Sequence, residues 1–206
     1  MNKAVSLVAQ WNKAGFISQT IKVNVPQVWV FEPGTTWAGR KTLVEPFIEN
    51  YKKSNSNTGW ADTSTSWHLV MQAISHYSYH ISSGEYILCD MQGGIYTGAV
   101  VLTDPVILSR QESYGVTDLG LKGISSFFSQ HRCNQYCRGN WIKPADRTRY
   151  YAPRMGSTMI TGTAITQPAP PLVLRRQTAN QALLLAMFPF TRLLLIMPST
   201  DSVMFK

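Results

Sequence analysis

Apolar residues recur at helical or strand spacing along the first two thirds of the chain. Residues 4–13 place apolar side chains three and four positions apart, which predicts a helix, and Gly15 follows as its stop. Short runs of β-forming residues predict strands, at 21–25, 28–31, 42–48, 86–90 and 96–102, with a turn at 92–94.

A longer helix is predicted after the polar loop 52–59. Asp62 and Thr63 can cap its first turn, and its apolar face would consist of Trp67, Val70, Met71, Ile74 and Tyr77. A glycine-rich loop at 114–123 leads to a third helix, which would begin with residues 124–131 and carry two cysteines at its end. The order helix, strands, helix, strands, helix predicts an α+β fold.

Charge is unevenly distributed along the 206 residues. Residues 1–137 contain 10 lysines and arginines against 9 acidic residues, whereas residues 138–206 contain 9 against 2. This length favours one domain with a tail over two full domains. We therefore predict a domain at 1–137 and a basic, proline-containing extension at 138–206. The basic and aromatic segment 143–154 has a composition that suits nucleic acid, but we expect it to pack its aromatics on the domain and not to bind nucleic acid.

Cysteine usage and hydropathy favour an intracellular, cytoplasmic protein. Three cysteines are too few for a disulfide scaffold, and the apolar run after Lys3 is too short for a signal peptide. The most apolar stretch, 182–197, is shorter than the roughly 20 residues that span a bilayer, and Pro189 and Arg192 interrupt it. No membrane partner is therefore expected.

A group of potential zinc ligands lies near position 135. His131, Cys133 and Cys137 have side chains that suit zinc, and a structural site needs a fourth ligand. His76 and His80, four residues apart on the long helix, both qualify. Two buried cysteines beside a histidine at a helix end would produce the same spacing, so spacing alone leaves the zinc interpretation and the fourth ligand open.

Oxygen ligands occur at the ends of two predicted strands. Asp90 and Gln92 would share one face of a strand, because alternate residues point to the same side. Asp104 precedes a proline at the end of the next strand. These side chains could hold Mg²⁺, although a turn aspartate and a strand-end cap would produce the same pattern.

The glycine-rich loop contains Gly115, Gly120 and Gly123, whose backbone could approach a phosphate or a peptide. The loop lacks the Lys-Ser/Thr of a Walker motif and does not follow a Rossmann strand. The His-Arg-Asp and Asp-Phe-Gly motifs of conventional protein kinases are also absent from the sequence. A conventional protein kinase is therefore excluded.

Several motifs follow one another in a fixed order: Glu45-Pro46-Phe47, Tyr51-Lys52-x-x-Asn55-x-Asn57-x-Gly59, Ile74-Ser75-His76-Tyr77, Asp90-x-Gln92-Gly93, Leu102-Thr103-Asp104-Pro105, the glycine-rich loop and His131-x-Cys133-Asn134-x-x-Cys137. In this order they resemble the alpha-kinase family of atypical Ser/Thr protein kinases. The resemblance covers roughly residues 8–137.

The resemblance implies a two-lobed atypical protein-kinase-like fold. It also implies an enzyme that transfers phosphoryl groups from Mg-ATP to Ser or Thr of a protein substrate. It implies that Asp90 is the catalytic aspartate near the substrate hydroxyl. Gln92 and Asp104 would bind Mg-ATP, and Glu45 would lie in the hinge that meets the adenine.

The resemblance also implies a zinc site that stabilises the C-terminal lobe and selects His76 over His80. Its ligands would be His76, His131, Cys133 and Cys137. The glycine-rich loop would position the peptide substrate through Gly115, Gly120 and Gly123.

Two departures from the family pattern affect the expected activity. Relatives usually carry a glycine-rich hairpin and an ATP-contacting lysine on a strand ahead of the helix with which this chain opens. We therefore expect a truncated N-terminal lobe. Lys3 and Lys13 belong to the helical stretch, so the role of that lysine is assigned to neither. Thr117-Asp118 stands where many relatives have Gly-Asn, which is expected to stiffen the loop or alter substrate choice. The alternative to an active kinase is a catalytically weak or inactive module that acts through binding.

Overall fold

The computed structural model describes residues 1–159, which belong to two units. One unit comprises Met1–Asn24 and residues 48–159, and the other, within the described part, is Val25–Phe47. The alternation of one helix, four strands, one helix, four strands and one helix confirms the predicted α+β class. The proline-rich stretch 167–172 and the apolar stretch 182–197 lie outside the described residues. Within residues 1–159, no helix has the length and apolar character needed to cross a membrane.

The first helix, α1 (Asn2–Ala14), agrees with its predicted periodicity. Its buried side chains recur every three or four residues, as Ala4, Leu7, Val8 and Trp11. Gly15 ends the helix in the left-handed conformation, with φ of 65°, and its N–H donates to the Asn12 carbonyl. The helix thereby contributes one apolar face to the core.

The first unit contains a four-stranded sheet. Its strands are β1 (Thr20–Val23), β4 (Lys52–Lys53), β6 (Gln92–Tyr96) and β7 (Ala99–Leu102), in the spatial order β1, β7, β6, β4. Strand β1 runs parallel to β7, and the other neighbours are antiparallel. The predicted turn at 92–94 is wrong, because these residues begin β6.

The second unit contains an antiparallel pair of strands, β2 (Gln27–Val30) and β3 (Lys41–Val44). Every residue of β2 is exposed, whereas β3 buries alternate side chains. Another antiparallel pair, β5 (Tyr86–Cys89) and β8 (Val106–Ser109), lies in the first unit. The sequence analysis missed β8, a fully buried strand with no alternation to reveal it.

The long helix α2 (Ser66–Ile81) begins later than predicted. Thr65 is its N-cap, because the Thr65 hydroxyl accepts the His68 N–H at 3.4 Å. Asp62 instead accepts the Ser64 N–H at 2.7 Å, so Asp62 and Thr63 are not the cap. Most of α2 is buried, and its apolar face packs in one cluster with α1.

The third helix, α3 (Gly120–Gln130), differs from the prediction at both ends. Gly120 and Gly123 belong to the helix and not to the loop, and Gly123 packs closely on Leu108 and Leu119. The helix ends before the cysteines, because His131 adopts extended backbone angles. Cys133 and Cys137 therefore lie in a non-helical segment, and the helical spacing predicted for them is wrong.

Residues 131–159 contain no helix or strand but are fixed to the helices by side-chain contacts. Trp141 is buried, and its ring packs against Trp11, Phe16 and Tyr77. Two hydroxyls of α3 also bind the backbone of this segment. The Ser125 hydroxyl donates to the Thr148 carbonyl. The Ser126 hydroxyl accepts the N–H groups of Tyr150 and Tyr151.

Candidate functional site

Asp90 lies in the short connection between β5 and β6. Its backbone is left-handed, with φ of 58°, so the prediction that Asp90 and Gln92 share a strand face is wrong. Aspartate tolerates this conformation better than most residues. This connection is held by Asn55, whose side-chain amide oxygen Oδ1 accepts the Met91 N–H at 2.9 Å. The Asp90 side chain is consequently fixed in the interior, with 3% of the residue exposed.

Lys53 joins Asp90 to Gln92. Its Nζ lies 2.7 Å from Asp90 Oδ1 and donates to Gln92 Oε1 at 2.9 Å. Strand pairing causes this arrangement, because Lys53 in β4 lies directly opposite Gln92 in β6. A buried carboxylate needs a partner of this kind, since an unpaired charge in the interior is costly. We call Lys53, Asp90 and Gln92 the lysine-centred site.

The sequence analysis assigned no role to Lys53, because the polar composition of 52–59 predicted an exposed loop. The five residues Ser54–Thr58 are instead buried. The sequence carried no periodic signal for this burial, because residues 53–57 are all polar. Burial of the segment depends on partners elsewhere in the chain: the Asn55 side chain, for example, donates to Gln72 and Ser75 of α2.

Asp104 lies between β7 and β8, with a left-handed φ of 44°. The neighbouring Thr103 N–H donates to the Gln92 carbonyl at 3.0 Å, which ties this turn to the start of β6. The Tyr51 hydroxyl is affected by both carboxylates. Burial raises the pKa of Tyr51, and the negative charges of Asp90 and Asp104 raise it further. The three oxygen-bearing residues predicted for Mg-ATP chemistry therefore occupy one region of the sheet.

Gly93, within the Asp90-x-Gln92-Gly93 motif, is required by the backbone. A Cβ at Gly93 would collide with the Val101 carbonyl of the neighbouring strand. The glycine therefore allows β6 and β7 to approach closely beside the lysine-centred site.

The segment before α3 is organised by Asp118 as well as by its glycines. The Asp118 carboxylate accepts hydrogen bonds from Ser109 N and Oγ, from Tyr114 N and from Gly120 N, at 2.6–3.1 Å. Gly115 has φ of 86°, which favours glycine. Four hydrogen bonds to one carboxylate fit the expectation of a stiff loop. The predicted peptide-positioning role of Gly115, Gly120 and Gly123 stays a prediction.

Glu45 directly follows β3 in the second unit and is buried. Its assignment to an adenine hinge stays a prediction.

Four metal-binding side chains converge where α2 meets the segment after α3. The ligand atoms of His76, His131, Cys133 and Cys137 all lie within 4.8 Å of one another. His131 Nε2 is 3.2 Å from His76 Nδ1, and the sulfurs of Cys133 and Cys137 are 3.7 and 3.8 Å from these ring nitrogens. Zinc bonds of about 2.0–2.3 Å place tetrahedral ligands roughly 3.3–3.8 Å apart, so the donor set fits zinc.

The protonation of this cluster also suits a cation. Burial lowers the pKa of His76 to about 4 and that of His131 to about 3, so both imidazoles are neutral near pH 7. His76 Nε2 lies 3.0 Å from the Ile142 carbonyl, which leaves Nδ1 to face the cluster. His80 does not join it, since its Nδ1 accepts from the Ile142 N–H.

Comparison with known proteins connects these features to one family. The profile of the alpha-kinase family matches residues 1–137. The chain is 40% identical over 98 residues to the alpha-protein kinase vwkA of Dictyostelium discoideum and 36% identical over 109 residues to myosin heavy chain kinase C of the same organism. These matches cover 46% and 51% of this chain but only 15% and 13% of the two relatives.

A solved structure supports the same likeness. The alpha-kinase domain of myosin heavy chain kinase A, determined as a complex with AMP, superposes with a TM-score of 0.54 at 28% sequence identity. The match covers 65% of this chain and 53% of that chain.

Proposed function

Because the chain belongs to the alpha-kinase family, we propose that it is a protein kinase that transfers the γ-phosphoryl group of ATP to serine or threonine side chains of a protein substrate. The observation that carries the proposal is the lysine-centred site, where Lys53 holds a buried carboxylate 2.7 Å away beside the amide of Gln92. Phosphoryl transfer depends mainly on positioning and charge compensation, and this site supplies both.

Asp90 is proposed to act on the substrate hydroxyl. Its ion pair with Lys53 fixes the orientation of the carboxylate, so that it can accept the proton of the attacking hydroxyl. Lys53 then retains one positive charge beside the reaction as negative charge develops on the phosphoryl oxygens.

Gln92 and Asp104 are proposed to hold Mg²⁺ with the ATP phosphates, and the buried Glu45 to contact the adenine. Mg²⁺, when bound, neutralises negative charge on the phosphates. In support, a backbone hydrogen bond from Thr103 to Gln92 ties the turn that carries Asp104 to the start of β6, and one amide with one carboxylate suits a cation that keeps several water and phosphate ligands. Gly115, Gly120 and Gly123 are proposed to belong to the peptide-positioning segment.

His76, His131, Cys133 and Cys137 are proposed to bind structural zinc. Two nitrogen and two sulfur donors that converge in this way match the four-coordinate ligand set of a structural zinc site. Zinc would link α2 to the segment after α3. Thiolate ligands also favour the reducing interior of a cell as the place of action, since all three cysteines are free.

A phosphate-transfer assay tests the proposed function. The zinc-loaded 206-residue chain is incubated with Mg-ATP carrying a radiolabelled γ-phosphate and with myelin basic protein as a general acceptor. We expect label on serine and threonine that disappears in Asp90→Asn and persists in the surface control Asp146→Asn. Nucleotide binding without transfer would instead favour the alternative, a module that acts through binding.

A further inference from the structure

We propose that Asn57 and Thr58 bind the main chain of the protein substrate, at the residue three positions before the accepting serine or threonine and at the residue directly after it. This inference rests on the proposed kinase function and adds a substrate requirement to it. Both positions must offer a backbone N–H, so proline is excluded from them. Residues 154–158, which we call the template segment, display this mode of binding beside the lysine-centred site.

Two buried side chains hold the template segment by its backbone. The Thr58 hydroxyl accepts the Arg154 N–H at 3.0 Å and donates to the Arg154 carbonyl at 3.2 Å. The Asn57 amide accepts the Thr158 N–H at 2.9 Å and donates to the Thr158 carbonyl at 2.7 Å. Each side chain therefore pairs with both polar main-chain groups of one residue, which is a means of binding an extended peptide that does not depend on its side chains.

The position between these anchors identifies where an acceptor side chain would lie. Ser157 Oγ is 3.5 Å from Lys53 Nζ, the ammonium that lies 2.7 Å from Asp90 Oδ1. A substrate hydroxyl in the place of Ser157 is thus next to the carboxylate proposed to accept its proton. Counted from this position, Thr58 binds the residue at −3 and Asn57 binds the residue at +1.

An external substrate has to displace the template segment, and the contacts of the segment allow this. Arg154, Met155 and Ser157 are exposed, so the segment buries little side-chain surface. Within residues 1–159, its side chains form one hydrogen bond, from Lys53 to Ser157, and its remaining bonds are the four to Asn57 and Thr58. A substrate backbone would form the same four bonds, so the exchange leaves no buried polar group unpaired.

Asn57 also connects the groove to the segment before α3. Its Nδ2 donates to the Thr117 carbonyl at 2.9 Å as well as to the Thr158 carbonyl. One buried amide thus joins the bound backbone to the segment for which a peptide-positioning role is proposed. This connection is independent of the Lys53 contact.

The first experiment scans the substrate backbone and leaves the protein unchanged. The zinc-loaded 206-residue chain labels myelin basic protein with Mg-ATP, and tandem mass spectrometry locates the labelled residue. Peptides centred on that residue are then synthesised with a single N-methyl group on one backbone nitrogen. We expect N-methylation at −3 or at +1 to raise KM for the peptide about tenfold, the usual loss for one hydrogen bond, while kcat is retained. N-methylation at −2 or at −1 is the matched control and should leave KM within about twofold.

The outcomes separate this inference from the proposed function. Label on myelin basic protein together with equal KM values for all the methylated peptides would overturn the inference and leave the kinase function standing. An increase in KM confined to −2 and −1 would overturn the assigned register in the same way. Absence of any label would overturn the proposed function and this inference with it.

A pair of variants at Thr58 tests the anchor from the side of the protein. Thr58→Val removes the hydroxyl that binds Arg154 and keeps the side-chain shape, whereas Thr58→Ser keeps the hydroxyl. In Thr58→Val, we expect the KM ratio between the peptide methylated at −3 and the unmethylated peptide to fall to about one, with the ratio at +1 unchanged. Thr58→Ser should retain both ratios. If Thr58 only stabilised the fold, both peptides would be affected alike in Thr58→Val, and an unchanged ratio at −3 would overturn the inference.

Discussion

The lysine-centred site and the histidine-cysteine cluster both withdraw polar groups from water, but they compensate for it differently. Asp90 receives its counter-charge from Lys53, within the same chain. The cluster of His76, His131, Cys133 and Cys137 contains no cationic side chain to join its four donor atoms. The first site is therefore preorganised within the chain, by strand pairing and by Asn55, whereas the second, if it holds the zinc proposed above, depends on an external cation. Their responses to substitution should differ accordingly.

The largest expected effect is the loss of zinc. Structural zinc contributes on the order of 10 kcal/mol to folding, which is comparable to the whole stability of a domain. We expect Cys133→Ala, or prolonged chelation, to leave the protein unfolded or insoluble. Metal analysis and urea unfolding followed by circular dichroism measure this. Cys89→Ala, which removes a cysteine outside the cluster, is the matched control and should retain zinc. Folded protein without zinc would contradict the prediction.

Breaking the Lys53–Asp90 pair should have the next largest effect. Lys53→Met leaves a buried carboxylate unpaired, which costs about 3–5 kcal/mol in the free energy of unfolding. Lys52→Met, on the adjacent exposed lysine, should cost less than about 0.5 kcal/mol. Urea unfolding of both variants tests this.

A double variant separates the stability of the pair from its chemistry. Lys53→Met with Asp90→Asn removes both charges, so we expect it to recover much of the lost stability without recovering phosphate transfer. If the double variant instead lost as much stability as the two single variants combined, the 2.7 Å contact would contribute little.

Measurements of nucleotide affinity should distinguish the role of Asp90 from the roles of Gln92 and Asp104. We expect Gln92→Ala and Asp104→Ala to weaken Mg-ATP binding about tenfold, or about 1.4 kcal/mol, because each removes a proposed metal ligand. Asp90→Ala should lower turnover while nucleotide affinity is retained. Titration calorimetry with Mg-ATP measures the affinities, with Asp146→Ala as the control. Loss of affinity in Asp90→Ala together with unchanged affinity in Asp104→Ala would reverse the assigned roles.

Mild acid should produce the smallest effect, confined to the cluster. The pKa values of His76 and His131 in the folded protein are lowered to about 4 and about 3 by burial, below the usual value near 6.5 in an unfolded chain. The unfolded chain then binds more protons, so stability falls as the pH drops below about 6.5 toward these values. Protonation also competes with zinc, in the same direction. Urea midpoints between pH 7 and pH 6 should decrease modestly, and an increase would contradict the sign.

Particular elements show where the sequence was sufficient. Helix α1 and its stop at Gly15 follow from apolar periodicity and from the freedom of glycine to adopt positive φ. Periodicity could not predict the histidine-cysteine cluster, because its ligands come from α2 and from the segment after α3, which are far apart along the chain. The resemblance to the family was needed to select His76 over His80. Helix α3 was extended too far, because residue spacing does not reveal that the backbone turns extended at His131.

The sequence by itself determined the α+β class, the order of the three helices and of the groups of strands between them, the family, and the side chains with metal-binding or acid-base chemistry, because these depend on local periodicity and on residue type. Only the tertiary structure decided which of them meet. Burial of 54–58, the pairing of Lys53 with Asp90 and the return of Ser157 to that lysine all depend on contacts between residues distant along the chain. A polar side chain has the same composition whether it is solvated or enclosed, and its environment is fixed only when strands pair and helices pack around it.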